Sequence, residues 1–401
     1  MVTFVTRNRN LYIMKILHTS DWHLGHTLYN YDRTEEQASM LRQMAEIVRD
    51  EQPDVFLLAG DVYHTPQPSA AVQTMFANAM VDIHNANPNM TIVITAGNHD
   101  SATKHEIFST PWRALGVYAV GSLCREEPRS HVIEISGKGY IVAVPYAYER
   151  NIPEGFFQQL LDEAAAMNTQ GLPVVMTAHL TLRGCDYTGH DNASEYTVGG
   201  IDSFEIQQMG EGYDYLALGH IHHQQFVHTG RHNVRYSGTP IAVSFDECYP
   251  HSVSIVEIKS HGSRPEVRMV DIDNPHPLVT LPRDGYAAWD EAKLQLAAFP
   301  DDIAAYVRLN VAVDDFLPAE ANMEAAALTE GKQCRFCYVN ARRKEAVRKE
   351  AKALSVEEFQ AEAPIDIARR YAEDVGAGFD DEMSAIFSEA IRMVNDDQRN
   401  E

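Results

Sequence analysis

Eight side chains able to bind a metal or move a proton sit at five places: Asp21 and His23 in SDWH, Asp61 in AGDVYH, Asn98 and His99 in AGNHD, His179 in TAHL, and His220 and His222 in LGHIHH. Carboxylate oxygen, amide oxygen and imidazole together suit borderline or hard divalent ions such as Mn²⁺, Fe²⁺ or Zn²⁺, and the lack of thiolate argues against a structural zinc. Seven strong ligands are too many for one ion and about right for two. Two ions roughly 3.5–4 Å apart need a bridging carboxylate, and such a pair activates water and clamps the attacking and leaving oxygens of phosphoryl transfer. A single D-x-H or G-D is commonplace, so the inference rests on five clusters that each end an apolar run.

Those runs are the elements that must position the ligands. KILHTSDWH, DVFLLAGD, TIVITAGNHD, PVVMTAHL and YLALGHIHH read as buried strands that break into polar loops. Between the early ones lies a helix: Thr34-Glu35-Glu36-Gln37 has the capping-box pattern, and Leu41, Met44, Ala45 and Val48 come after it at helical spacing. Strand, helix, strand is the grammar of an α/β sheet, whose ligands gather beyond the carboxyl ends of the strands. Between 117 and 145, three apolar runs succeed one another without a helix, which predicts an antiparallel portion and a second packed sheet.

The texture changes after the main domain, set at 14–272. NPHPLVTLP at 274–282 reads as a linker, and 283–340 as a small domain with a helix and a later strand. A basic linker spans 341–354. A helical segment at 355–398 opens on a second capping box at Ser355 and carries an apolar stripe from Phe379 to Val394, which marks it as a candidate partner-docking element.

Composition sets the outer limits. The chain has 401 residues and a formal net charge of −24, which argues against wrapping nucleic acid with the whole surface and leaves open a site whose positive charge comes from bound metal. Five cysteines, an odd number, do not make a disulfide framework, so a reducing, cytoplasmic compartment is expected; Cys334 and Cys337 supply at most half a zinc site. No run reaches the roughly 18–20 apolar residues of a membrane span. Residues 1–13 lack the apolar core of a signal peptide and read as an extension ahead of Met14, itself a candidate start.

The ordered set DWH, GDVYH, GNHD, AH and GHIH resembles the calcineurin-like metallophosphoesterase superfamily. SDWHLGHTLYNYDRTEEQ at 20–37, ASEYTVGG at 193–200 and YSGTPIAVSFDE at 236–247 are similar to the bacterial SbcD nuclease subunits of double-strand-break repair. The resemblance implies a four-layer α/β/β/α sandwich, with 283–340 as an α+β capping domain that helps to hold DNA and with C-terminal helices that dock on an SbcC-type coiled-coil ATPase. It implies two divalent ions, Mn²⁺ foremost: Asp21, His23 and His222 on one, Asn98, His179 and His220 on the other, Asp61 bridging. His99 would assist the leaving 3′ oxygen and His64 would position the DNA backbone. Arg33 is a candidate phosphate contact, with a salt bridge to Glu35 or Glu36 as the alternative. Asp100 is read as orienting His99 or capping the next helix. His26 is assigned no role, and His223 is read as a solvated or supporting residue.

The implied activity is 3′–5′ exonuclease on double strands and endonuclease on single strands and hairpins, by a homodimer within a heterotetramer that recognises backbone and ends. A related phosphatase or small-molecule phosphodiesterase is the rival. Protein phosphatases carry GDYVDRG where this chain has GDVYHTPQP. A non-catalytic scaffold is a further alternative, and such proteins usually lose ligands that this chain keeps.

Overall fold

A computed structural model of the chain describes residues 13–107, 109–188, 203–227 and 231–344, together with scattered residues between 365 and 388. The extension before Ile13 and ASEYTVGG lie outside them.

In the first part of the chain, strands rich in Val, Ile and Leu alternate with helices: β1 (Met14–Thr19), α1 (Thr34–Glu51), β2 (Val55–Ala59), α2 (Ala70–Ala86), β3 (Thr91–Thr95), the short α3 (Ala102–Ile107) and α4 (Ser109–Arg113), and β4 (Val117–Val120). Next come β5 (Val132–Ile135), β6 (Gly139–Val144), α5 (Phe156–Met167), β7 (Val174–His179), β8 (Thr181–Leu182), β9 (Ser203–Phe204), β10 (Tyr215–Gly219), β11 (Gln225–Phe226) and β12 (Val234–Tyr236). β13 (Ser252–Ile258) then returns beside β1, with β14 (Glu266–Asp271) along its outer side.

Two six-stranded sheets result, ordered β14-β13-β1-β2-β3-β4 and β11-β12-β10-β7-β6-β5. The period of two along each strand builds the layers. Leu17, Phe56 and Leu58 face α1 and α2, whereas Ile16, Val55 and Leu57 meet Ile141, Val175 and Ala217 of the second sheet. On the far side, Phe157 and Leu160 of α5 cover Met176, Leu216 and Leu218. Each such buried side chain contributes roughly 1.5–3 kcal/mol. The fold is therefore the expected α/β/β/α sandwich. The expected antiparallel portion is β5 against β6, while β4 lies parallel on the edge of the first sheet.

The capping box expected at Thr34 does not form. Asp32 Oδ1 accepts the Thr34 N–H at 2.9 Å, and Gln37 turns away to the Gly25 N–H. The stretch 274–282 also differs from expectation. Its prolines flank an apolar LVTL that forms β15 (Leu278–Leu281), parallel to β16 (Tyr306–Val313). With α6 (Trp289–Ala297), α7 (Ala321–Ala327) and β17 (Arg335–Arg343), these strands make a small α+β region whose sheet runs β15-β16-β17.

The chain divides into two compact units, Met1–Val311 with Leu317–Asn340, and Ala312–Phe316 with Ala341–Glu401. In the second, Arg343 lies over the Phe316 ring and Lys344 pairs with Asp314. Most of the linker at 341–354 and of the segment at 355–398, Ser355 included, falls outside the described residues; residues 365–366, 368–369, 383–385 and 387–388 are helical. Among the described residues no helix is long and apolar enough to cross a membrane, and all five cysteines are free thiols.

Candidate metal centre

β1, β2, β3, β7 and β10 are mutually parallel within their sheets and release their chains at one edge of the sandwich. The loops that leave β1, β2 and β10 have unusual backbone. Asp21, His23, Asp61 and His220 take φ values of 54°, 45°, 50° and 97°, a left-handed region that costs a residue with a Cβ roughly 1–3 kcal/mol. Hydrogen bonds between the first two loops hold it there: Asp21 N–H to Gly60 O (3.0 Å), His23 N–H to Asp61 O (3.1 Å) and Leu24 N–H to Val62 O (3.0 Å). These two loops thus stay paired beyond their strands and turn both carboxylates to one point.

The second sheet approaches closely enough to share that point. His179 donates from Nδ1 to Ala59 O across the sandwich (2.8 Å), and a Cβ on Gly219 would come within 1.9 Å of the same oxygen. Only glycine allows this approach. His220 donates its N–H to both oxygens of Asp21 (3.1 Å each), and Ser20 donates its hydroxyl to Oδ2.

The donors then converge. His179 Nε2 is 3.0 Å from Asn98 Oδ1 and 3.4 Å from Asp61 Oδ2, and His220 Nδ1 is 3.1 Å from Asn98 Oδ1. On the other side of Asp61, His23 Nε2 lies 3.8 Å from Oδ2 and 3.2 Å from His222 Nε2. Asp21, His23 and His222 form one compact group of donor atoms, and Asp21, Asp61 and His179 another. All are buried except Asn98.

The charges are those of a cation site. Burial pushes the Asp21 carboxyl up against the pull of His179 and His222. Burial opposes ionisation of Asp61 as well, but His179, His23 and His99 together outweigh it and hold that carboxyl well below the usual range. His179 is drawn up to about 9 by Asp61 despite its burial, and His222 likewise to about 9, by Glu247 first and then the two aspartates. Burial pushes His23 well below its ordinary value. With Nδ1 of His179 and of His222 committed as donors, their Nε2 lone pairs face other acceptors at 3.0–3.4 Å. Only protons or metal cations satisfy such a set, so these residues fit divalent ions.

Comparison with known proteins agrees. The family model described as calcineurin-like phosphoesterase matches residues 14–224. The chain is 32% identical over 320 residues to the SbcD subunit of the SbcCD nuclease of Rhodobacter capsulatus, covering 72% of this chain and 77% of that one. It is 31% identical over 296 residues to the protein of the same name from Escherichia coli, with 68% and 71% covered, and 31% identical over 287 residues to that of Bacillus subtilis, with 66% and 71% covered. The chain belongs to the SbcD nuclease family of calcineurin-like phosphoesterases. It is a metal-dependent phosphodiester hydrolase, a nuclease.

In this SbcD-family chain two histidines border the donors. His99 donates its N–H to Asp61 Oδ1 (2.9 Å) and Nδ1–H to His64 O (2.9 Å), which leaves Nε2 facing away from both. The His64 ring stacks on it at 5.7 Å, and burial and then His99 lower the His64 pKa.

Glu247 was missed as a functional residue although it ends the YSGTPIAVSFDE motif. Its Oε1 accepts from His222 Nδ1 (2.9 Å) and its Oε2 from Thr239 Oγ1 (2.8 Å), so a buried carboxylate fixes the tautomer of His222. The signal was present as an acid closing a matched motif. Its partner was set by the fold.

The remaining candidates divide: Asp100 departs from expectation, Arg33 takes its alternative reading, and His223 lies outside the donors as read. Arg33 sits beside Glu36: it is 1% exposed, donates to Ala242 O (2.8 Å) and His26 Nδ1 (3.2 Å), and lies 3.6 Å from Glu36. Asp100 neither orients His99 nor caps α3; it accepts the N–H groups of Val62, Tyr63 and Gly97 and so ties the loops after β2 and β3 together. His223 pairs with Asp186 and stacks on Tyr249, away from the donors.

Proposed function

We propose that the chain is a two-metal DNA nuclease, 3′–5′ exonuclease on double strands and endonuclease on single strands and hairpins, working as a homodimer with an SbcC-type ATPase in the cytoplasm during DNA end processing. The observation that carries the reading is the convergence of seven donors, Asp61 in the middle of the set and Asn98 joined to it through His179, with His99 and His64 stacked beside them. Asp21, His23 and His222 would hold one ion, Asn98, His179 and His220 the other, with Asp61 between, and Mn²⁺ suits these oxygen and imidazole donors. When bound, the ions supply Lewis acidity toward the phosphate and activation of the nucleophile.

The chain's own residues do the rest. His99 presents Nε2 to the leaving 3′ oxygen, its ring fixed by the Nδ1 bond to His64 O and its backbone by Asp61. His64, whose pKa is lowered, stays a neutral imidazole that places the DNA backbone. Glu247 holds the ring of His222 in line. The capping domain at 283–340 contributes to holding DNA, and the segment at 355–398 docks the ATPase.

The test is Mn²⁺-dependent digestion of linear and hairpin DNA by wild type, His99→Ala and Asp61→Ala. Wild type digests both substrates and each variant loses about 100-fold or more in rate. Digestion by the variants at the wild-type rate would sink the assignment.

A further inference from the structure

We infer that the cap positions the two substrate-side histidines, His64 and His99, through Arg335, Tyr306 and the first turn of α1. The inference builds on the roles proposed above for those histidines.

A continuous set of bonds runs from cap to site within one compact unit. On the cap side, Arg335 donates from Nη1 to Tyr306 Oη (2.7 Å) and to Asp32 O (3.3 Å), Tyr306 donates to Asp32 O (3.4 Å), and Tyr31 donates to Phe336 O (2.9 Å). The Tyr306 ring, fully buried, has Arg335 at 5.4 Å and Arg33 at 5.8 Å from its centre. The cap therefore grips residues 31–33, the entry to α1.

From there the helix start grips the next loop. Arg33 Nη1 donates to His26 Nδ1, Gln37 Nε2 donates to His26 O (3.2 Å), and Gln37 Oε1 accepts the Gly25 N–H (3.0 Å). That loop holds the histidines: Leu24 O accepts the His64 N–H (3.0 Å), the His26 ring meets the His64 ring edge-on at 4.7 Å, and His64 O accepts from His99 Nδ1. The Arg33 bond also fixes the proton of neutral His26 on Nε2.

A buried guanidinium beside Glu36 is a poor source of stability, because both charges lose hydration. It is a good way to hold geometry, since its planar donors fix Ala242 and His26 together. Shifting the cap strands moves residues 31–33, and with them the loop that sets both rings. Tyr306 and Arg335 are thus positioning residues, distant from the reacting atoms.

The experiment uses a substrate too small to touch the cap. With full-length protein and Mn²⁺, kcat for bis(p-nitrophenyl) phosphate is measured in wild type, Arg335→Met, Arg335→Lys and Tyr306→Phe, alongside Mn²⁺ affinity, melting temperature and the ¹⁵N imidazole signals of His64 and His99. We expect kcat to fall about tenfold in Arg335→Met and less in Tyr306→Phe, with partial rescue in Arg335→Lys and unchanged Mn²⁺ affinity and melting temperature. The inference is overturned by wild-type kcat on the small diester with only KM for DNA raised, which would leave the cap a DNA-holding surface. It is equally overturned by loss of Mn²⁺ binding or of folding in both Tyr306→Phe and Arg335→Lys. If wild type cleaves neither diester nor DNA, the proposed function fails instead; the positioning path then stands or falls on whether the two imidazole signals shift in Arg335→Met.

Discussion

Glu247 shows how one residue outside the donor set governs a donor. Its carboxylate accepts a hydrogen bond from the Nδ1–H of His222 and leaves Nε2 for a cation. Replacing it by Gln removes the charge and keeps the shape, so Mn²⁺ affinity should fall about 10–100-fold for one ion of the pair. Titration calorimetry on Glu247→Gln reads this as one weakened and one retained site; two unchanged sites would exclude the role. His18 carries a second prediction at this scale. It is fully buried, bonded to Tyr215, and burial and then Arg235 lower its pKa from 6.5 to about 3. Between those values the unfolded chain binds a proton that the folded chain refuses, so stability is present above 6.5 and declines as pH falls below it. The decline is up to about 1.4 kcal/mol per unit. Denaturation of His18→Gln between pH 7 and 5 should show a correspondingly shallower loss than wild type, and parallel curves would refute the assignment.

At the scale of elements, the close approach of β10 to β2 brings the donors of one sheet to those of the other. Gly219 ends β10 where a Cβ would lie 1.9 Å from Ala59 O and 2.9 Å from His179 Nδ1. Gly219→Ala must push the sheets apart at their shared edge. It should cost about 3 kcal/mol or more and weaken binding of both ions, read as a lowered melting temperature and less than two Mn²⁺ per chain. A variant with full metal content would show that the sheets tolerate separation. The strands and α1 were legible in the sequence because their apolar periods are long and regular. The capping box and the linker were not: Gln37 is drawn to Gly25, and LVTL gains a partner in β16, contacts no local pattern encodes.

For the whole molecule, a net charge of −24 sets the terms for DNA. Backbone phosphate would be repelled by the surface at large and drawn to the metal-binding edge once ions occupy it. Nuclease activity and partner binding should therefore separate. Truncation after residue 350 should abolish association with the ATPase in a pull-down and leave Mn²⁺-dependent cleavage within about twofold, a surface-scale effect. Loss of both functions, or of neither, would contradict the division of labour.

The sequence by itself determined the chemistry. Carboxylate, amide and imidazole at the ends of five apolar runs require a metal-binding edge on an α/β sandwich, since strand burial and loop polarity are local properties of residue type. The tertiary structure alone decided which groups meet. Asp61 meets His23 because the loops after β1 and β2 pair, and meets His179 because one sheet is stacked on the other. Glu247 reaches His222, and Arg33 turns from phosphate to His26 and Glu36, for the same reason: distances between residues far apart in the chain are fixed by packing. The three histidines of LGHIHH part company in the same way, two among the donors and His223 against Asp186 and Tyr249.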